Sequence, residues 1–190
     1  MSAETDADVA DLGEEELREQ VESLRERLDD LESAVDGGTK KMSLIATKGT
    51  LDMAYPPLIL ASTAAAFGWD VTVFHTFWGL DILHREKSNA LKLSAVGNPN
   101  MPMPNIVAAL PFMDTMATSM MERKIDENNV STIGELIETS MDLGVEFQAC
   151  QMTIELMDYD EDDFIEGVTT GVGAATALQD MADADIQLLV

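Results

Sequence analysis

Three short apolar runs, each followed at once by a turn or a helix signal, constrain the fold of this chain most strongly. They span residues 42–47, 70–77 and 145–149. Such runs are typical of strands buried on both faces of a parallel sheet. Between the first two, the sequence predicts a helix over residues 58–67 that ends at Gly68. The chain therefore contains a strand–helix–strand unit, which predicts an α/β fold.

The remainder of the chain continues this alternation. An amphipathic helix over 132–143 is predicted to begin at a cap on Ser131 or Thr132, with Glu135 completing a capping box. The third strand ends at Cys150, and a helix over 151–157 follows it. Further on, we expect a short helix after Asp162, a glycine-rich turn at 167–173, a helix over 174–181 and a terminal strand over 186–190.

The first 38 residues differ from everything that follows, with 14 acidic and 3 basic residues and no aromatic residue. Apolar residues recur there at alternating steps of four and three, which predicts a coiled-coil helix over about 14–36, with Arg27 positioned to reach Glu32 of a partner. The seam consists of Leu17, Val21, Leu24, Leu28, Leu31 and Val35. Gly37 and Gly38 end the helix, and a domain over 40–190 follows. The seam fits either an oligomerisation arm or a helix packed on its own domain.

The charge of the chain is strongly negative: 36 acidic residues face 11 basic ones, a formal net charge of -25. Such an excess is typical of a halophilic protein, here of haloarchaeal type, because molar salt screens repulsion between carboxylates. The scattered basic residues argue against binding to nucleic acid or to an anionic membrane. The acidic start shows no secretory signal, and the apolar stretch 53–69 holds two prolines and is short for a membrane span. We therefore expect a cytoplasmic protein without membrane insertion.

Several patterns argue against a metal or a cofactor. A helix beginning near Asn105 carries four methionines, and two more precede it; this spacing is more typical of adaptable packing than of a copper(I) site. These are Met101, Met103, Met113, Met116, Met120 and Met121. One cysteine and two histidines do not form a zinc pattern, and His84 is expected in an exposed helix. No glycine pattern of a dinucleotide or phosphate loop follows a strand.

The carboxyl ends of the predicted strands are the expected position of a site, because ligands of open parallel sheets bind there. Cys150 lies at such an end and precedes a helix, whose first N–H groups stabilise a thiolate. From the residues alone it fits a nucleophile or an inert buried cysteine equally well. His75 fits a packed histidine that hydrogen-bonds the backbone, or a pocket residue. The predicted pocket consists of Lys48, Gly49, Thr50, His75, Trp78 and Gln151 around Cys150.

Three segments, ATKGTLD, VTVFHTFWGLDIL and GVEFQACQMTIELM, occur in the order found in one known family. Together they resemble the DsrE/DsrF/DrsH-like family over residues 41–190, within its peroxiredoxin-like branch. LPFMDTMATSMM stands where relatives have a methionine-rich run, with Phe112 replacing the usual glycine.

The resemblance implies a mainly parallel, Rossmann-like three-layer sheet, homo-oligomerisation, and a cysteine that carries sulfur as a persulfide. Cys150 matches that cysteine. It implies TusA-like or rhodanese-like donor and acceptor proteins, and no cofactor. Peroxidase activity is not expected, because the chain has no second cysteine to resolve a sulfenic acid. The alternative is a non-catalytic oligomeric scaffold or binding module, which the coiled coil, the methionine-rich surface and the irregular stretch 98–104 favour.

The charge excess makes a prediction about salt. Lowering salt from molar to millimolar concentration lengthens electrostatic screening from about 3 Å toward 30 Å or more, so repulsion between carboxylates should destabilise the fold. We expect the circular dichroism melt to move to lower temperature as salt is removed. A melt that is unchanged across this range would contradict the halophilic interpretation.

Overall fold

The computed structural model describes residues 18–27, 39–94 and 113–190. The chain divides into two units, Met1–Gly38 and Thr39–Val190. In the first unit, residues 18–27 form an α-helix, α1, which includes Val21 and Leu24 of the predicted seam. The other seam positions lie outside the described residues, so the coiled coil stays a prediction.

The second unit alternates strands and helices along the chain. Its strands are β1 (Lys41–Ala46), β2 (Asp70–His75), β3 (Glu146–Cys150), β4 (Thr169–Val172) and β5 (Ile186–Leu189). Its helices are α2 (Leu51–Ala66), α3 (Met113–Glu127), α4 (Ile133–Asp142), α5 (Gln151–Leu156) and α6 (Ala174–Ala182). Short 3-10 turns span Phe77–Ile82, Ser88–Ala90 and Glu161–Asp163. None of the helices in the described ranges is long and apolar enough to cross a membrane.

The five strands form one sheet in the order β4-β3-β2-β1-β5, and every pairing in it is parallel. The α/β class with a mainly parallel sheet is therefore confirmed. Because the strands run the same way, the segments that follow β1, β2 and β3 emerge at one edge. This edge is where the sequence places its candidate site.

Alternation along the strands divides the sheet into two faces. Leu44, Val73 and Phe147 point to the face covered by α2 and α4, where most of the core lies. Phe74 and Cys150 point to the other face, where they pack with Val172 of β4 and Ala177 of α6. Helices thus lie on both sides of the sheet, which is the predicted three-layer arrangement.

Helix α2 begins earlier than its prolines suggest. It starts at Leu51 and includes Pro56 and Pro57, so the predicted start at residue 58 was wrong. Each proline removes one intrahelical hydrogen bond. Burial of one helix face outweighs this loss, because Leu51, Leu58 and neighbouring alanines pack into the core.

The glycine-rich turn predicted at 167–173 contains strand β4, which the sequence analysis missed. The strand has only four residues, and Gly171 lies in it with a left-handed φ of +74°. Its pairing with β3 shifts register between Gln148 and Cys150. A short, irregular edge strand has no apolar alternation by which a sequence could reveal it.

The expectation of an exposed His84 was also wrong. His84 is buried, forms an isolated antiparallel bridge with Phe164, and packs edge-on against Tyr159 and Phe164. The charged neighbours in sequence concealed this, because Arg85 and Lys87 turn to partners on the same later segment: Arg85 Nε donates to Phe164 O and Lys87 Nζ donates to Tyr159 Oη. By contrast, the Thr132–Glu135 capping box at the start of α4 is confirmed.

Two loops at the carboxyl edge pack backbone against backbone through glycines. A Cβ at Gly79 would lie 2.3 Å from Ala46 O, and a Cβ at Gly49 would lie 2.0 Å from Trp78 O. Neither distance accommodates a side chain. The two glycines therefore allow the segments after β1 and β2 to approach each other beside the site.

Replacing Gly79 tests this close approach. Gly79→Ala forces a methyl group into the Ala46 carbonyl, so we expect the free energy of unfolding to fall by about 2 kcal/mol or more. Gly134→Ala is the matched control, because its Cβ would meet nothing nearer than Asn89 Oδ1 at 3.9 Å. In helix α4 that substitution should be neutral or stabilise by about 0.5 kcal/mol. Equal effects of the two substitutions in urea unfolding would contradict the close approach.

Candidate functional site

Cys150 is the last residue of β3 and the residue from which α5 begins. Its side chain is only 4% exposed and packs beside Phe74, Val172 and Ala177. The thiol is free, and it is the single cysteine of the chain. Cys150 therefore combines an apolar setting on the sheet with a polar setting at the strand end.

The polar setting is made by two threonines from different elements. Thr76 follows β2 and Thr153 is the third residue of α5; their hydroxyl oxygens lie 3.1 Å apart. The backbone N–H of Phe77 donates to Thr153 Oγ1 at 3.3 Å. These groups join the loop after β2 to the helix that follows Cys150.

The balance of burial and hydrogen bonding lowers the pKa of the Cys150 thiol. Burial alone raises the pKa, because a thiolate loses its hydration. Polar donors near the sulfur, namely the hydroxyl and backbone N–H of Thr153, the Thr76 hydroxyl and the Met152 N–H, favour the thiolate and more than offset this effect of burial on the pKa. The Met152 and Thr153 N–H groups lower the pKa although neither forms an N-cap hydrogen bond with the Cys150 side chain. The groups that lower the pKa are all uncharged, so the thiolate is stabilised by hydroxyl and N–H dipoles rather than by a positively charged side chain.

The loop beside the thiol is strained and its side chains are exposed. Phe77 adopts a φ of +49°, a conformation that residues with a Cβ rarely adopt. Phe77 and Trp78 next to it, and Met152 and Leu156 on α5, are large apolar side chains left in solvent. Backbone strain and exposed apolar groups next to a buried thiol are features of functional sites rather than of a simple core.

The three predicted pocket residues that follow β1 have different surroundings in the structure. Lys48 is exposed, and Gly49 lies against the backbone of Trp78. Thr50 begins α2, but its Oγ1 is buried and has no hydrogen-bond partner among the described residues. Gly49 and Trp78 of the predicted set are thus brought into direct proximity.

Gln151 has a structural contact of its own. Its Oε1 accepts a hydrogen bond from the Gly171 N–H at 3.1 Å, and its Nε2 donates to Glu155 at 3.2 Å. The side chain therefore connects the start of α5 to β4. It lies beside Cys150 in sequence and fixes the helix that follows the thiol.

His75 lies in the core and not in an open pocket. Its ring is fully buried and packs edge-on against Phe147 on the sheet face opposite to that of Cys150. Nδ1 lies 3.2 Å from Val73 O, and Nε2 has no partner in the described part of the chain. The interpretation of His75 as a packed, backbone-bonded histidine is confirmed. Alternation on β2 explains why it does not face the thiol.

The residues that the sequence analysis missed are Thr76 and Thr153. Thr153 stands three residues after Cys150, the position that meets an N-cap side chain at a helix start. That spacing was the available signal for Thr153. Thr76 offered no such signal, since its proximity depends on the pairing of β2 with β3.

Comparison with protein families identifies the chain. The model of the DsrE/DsrF/DrsH-like family matches residues 38–189. The chain belongs to this family. It is 45% identical over 159 residues to the sulfur carrier protein DsrE2 of Allochromatium vinosum, covering 80% of this chain and 98% of that relative. It is also 30% identical over 157 residues to the uncharacterized protein YrkE of Bacillus subtilis, covering 80% and 98%.

Two solved structures resemble the fold of this chain at low sequence identity. The Escherichia coli protein ychN has a TM-score of 0.46 and 12% identity, covering 80% of this chain and 100% of its own. Protein MTH1491 of Methanobacterium thermoautotrophicum has a TM-score of 0.42 and 13% identity, covering 80% and 99%.

The buried histidine makes a prediction about acid stability. Burial lowers the pKa of His75 to about 4, with the Val73 carbonyl opposing this in part. The unfolded chain binds the proton near pH 6.5, so stability should be lost as pH falls from 6.5 toward 4, by about 3 kcal/mol in total. His75→Leu should remove this part of the acid loss, measured by urea unfolding. His84→Gln is the control and should retain it; equal acid sensitivity of the two variants would contradict the assignment.

Proposed function

We propose that this protein is a sulfur carrier that holds sulfane sulfur as a persulfide on Cys150. The observation that carries the proposal is the buried Cys150 thiol, whose pKa is lowered by Thr153, Thr76 and backbone N–H groups. The thiolate is the form that attacks sulfur. Similarity to a sulfur carrier protein over most of the chain supports the same conclusion.

The proposed chemistry needs one cysteine and no net oxidation. In loading, the Cys150 thiolate attacks the outer sulfur of a donor persulfide, R–S–SH. A new S–S bond forms on Cys150, the donor S–S bond breaks, and R–S⁻ leaves with the electron pair. The outer sulfur retains its proton, so the product is Cys150–S–SH. A second attack by an acceptor thiolate then returns Cys150 to its thiolate.

We propose that donor and acceptor proteins reach the thiol across the apolar side chains beside it. Cys150 has little exposed surface of its own, whereas Phe77 and Trp78 in the loop after β2 and Met152 on α5 are exposed. This chemistry requires a donor that presents a persulfide and an acceptor that presents a thiolate, and we propose TusA-like or rhodanese-like proteins for these roles. Homo-oligomerisation and pairing of the N-terminal helix stay predictions. Peroxidase activity stays disfavoured, because the subunit has no second cysteine.

Intact-mass spectrometry tests the proposal. Wild-type protein in molar salt, incubated with a polysulfide donor, should gain about one sulfur atom per chain, and a reductant should remove it. Cys150→Ser is the control and should gain none while its circular dichroism melt stays close to that of the wild type. Absence of any gain on folded wild type, or an equal gain on Cys150→Ser, would contradict the proposal and favour a structural cysteine in a binding module.

A further inference from the structure

A cavity of about 600 Å³, which we call the α3 cavity, lies between α2, α3 and the start of α4. Leu51 and Tyr55 of α2 line it, as do Glu122 and Asp126 of α3 and the turn that begins at Ser88. Its volume is within the range of about 300–1,000 Å³ that is typical of small-molecule sites. It includes none of the residues that surround Cys150, so an inference from it does not depend on the proposed function.

Contacts between its own walls hold the α3 cavity in shape. Tyr55 Oη donates to Ser131 O at 3.1 Å and joins α2 to the segment before α4. The Thr132–Glu135 capping box fixes the next four residues of the lining. Leu91 and Ile133 are 6% and 5% exposed, so the base of the cavity is part of the hydrophobic core. The cavity is therefore formed before any ligand enters.

One buried polar group of the cavity has no partner. Ser88 lines the cavity and is only 9% exposed. Its hydroxyl forms no hydrogen bond with any residue that the structure describes. Buried hydroxyls normally have a partner, because an unsatisfied one destabilises the fold. Asn89 next to it supplies a second acceptor, Oδ1, which would lie 3.9 Å from a Cβ at Gly134. A ligand with N–H groups would satisfy both oxygens.

Carboxylates give the α3 cavity a negative charge. Glu122 and Asp126 are four residues apart on α3 and therefore lie on one face of that helix, and Glu135 lines the cavity from α4. Within residues 18–27, 39–94 and 113–190, nothing forms an ion pair or a hydrogen bond with the carboxylate of Glu122 or Asp126. No described residue of the lining is basic. Like charges at this helical spacing repel each other, and a cation beside them would relieve the repulsion.

We propose that the α3 cavity binds a small organic cation with two or more ammonium groups, of the diamine or polyamine class. Ammonium groups only donate hydrogen bonds, and the carboxylates, the Ser88 hydroxyl and the Asn89 carbonyl oxygen can accept them. The methylene groups between the ammonium groups pack against Leu51, Leu91 and the ring of Tyr55, all of which line the cavity.

Other classes of ligand match the α3 cavity less well. A bare metal ion would fill a small part of 600 Å³, and the described side chains contain no group of three or more His, Cys, Asp or Glu that could hold one. Phosphates and other anions would meet carboxylates without a basic residue to pair with. A quaternary ammonium has the required charge but no N–H to donate to Ser88.

Binding would also connect α3 more firmly to its domain. Thr118 Oγ1 accepts a hydrogen bond from the Leu93 N–H at 3.0 Å, and Ile125 packs against the core. A cation held between the α3 carboxylates and Ser88 adds a further connection. A ligand that binds the folded chain and not the unfolded one raises the melting temperature.

Calorimetric titration of the full chain with spermidine and with putrescine tests the proposal. Salt is held constant, because it screens the attraction between charges. We expect one saturable site per chain for spermidine, and a higher melting temperature in its presence. Choline at the same concentration, and Mg²⁺ at the same ionic strength, should bind about tenfold more weakly or less, because neither donates N–H groups.

Variants assign the binding to this cavity. Glu122→Gln and Asp126→Asn should each weaken spermidine binding about tenfold, and Ser88→Ala about threefold. The two carboxylate variants remove a repulsion on an exposed helix, so their circular dichroism melts should stay close to that of the wild type. Glu127→Gln is the matched control: it removes one charge from the same helix, at an exposed position outside the cavity lining, and should bind as wild type does.

Three results would overturn the proposal. The first is the absence of saturable spermidine binding up to about 10 mM, a concentration at which only a very weak site would stay empty. The second is an equal loss of affinity in Glu127→Gln and Asp126→Asn. The third is binding of Mg²⁺ as tight as that of spermidine, since this would reflect a general attraction of cations to an acidic chain.

Discussion

The parallel pairing of β2 with β3 is the constraint on which the candidate site depends. The register runs from Thr72 opposite Glu146 to His75 opposite Ala149, so the two strands end together. Thr76 is therefore the first residue beyond β2 at the level where β3 ends in Cys150. A slip of one residue would turn every side chain of β3 to the opposite face and remove the thiol from its neighbours. The apolar residues on both faces of β3 make that slip costly, since Phe147 and Cys150 each fill a different layer.

The pairing of β2 with β3 affects the ionisation of the Cys150 thiol, because it determines which groups lie near the sulfur. Burial on the sheet opposes ionisation, and hydroxyl and N–H donors from two elements favour it more strongly. None of these donors is charged, so the thiolate does not depend on an ion pair that molar salt would screen.

Much of the fold could be predicted from the sequence, because β1, β2 and β3 are apolar runs with clear ends and Thr132 with Glu135 marks a helix start. The prediction failed where local signals were weak or misleading. Strand β4 contains Gly171 in a left-handed conformation, and α2 includes two prolines that burial compensates.

The site could be predicted only in part. Cys150 was found as the single cysteine at a strand end, and Gly49 and Trp78 do lie together at that edge. His75 was placed in the pocket by its position in the chain, but alternation turns it to the opposite face. The roles of Thr76 and Thr153 depend on strand register and hydrogen-bond geometry, which the sequence does not contain.

The central claim, that the fold stabilises the Cys150 thiolate, is tested most directly by titrating the thiol through its ultraviolet absorbance in molar salt, with Cys150→Ser as the blank. We expect the native thiol to ionise at lower pH than the same thiol in the denatured chain; ionisation at the same or a higher pH would contradict the claim.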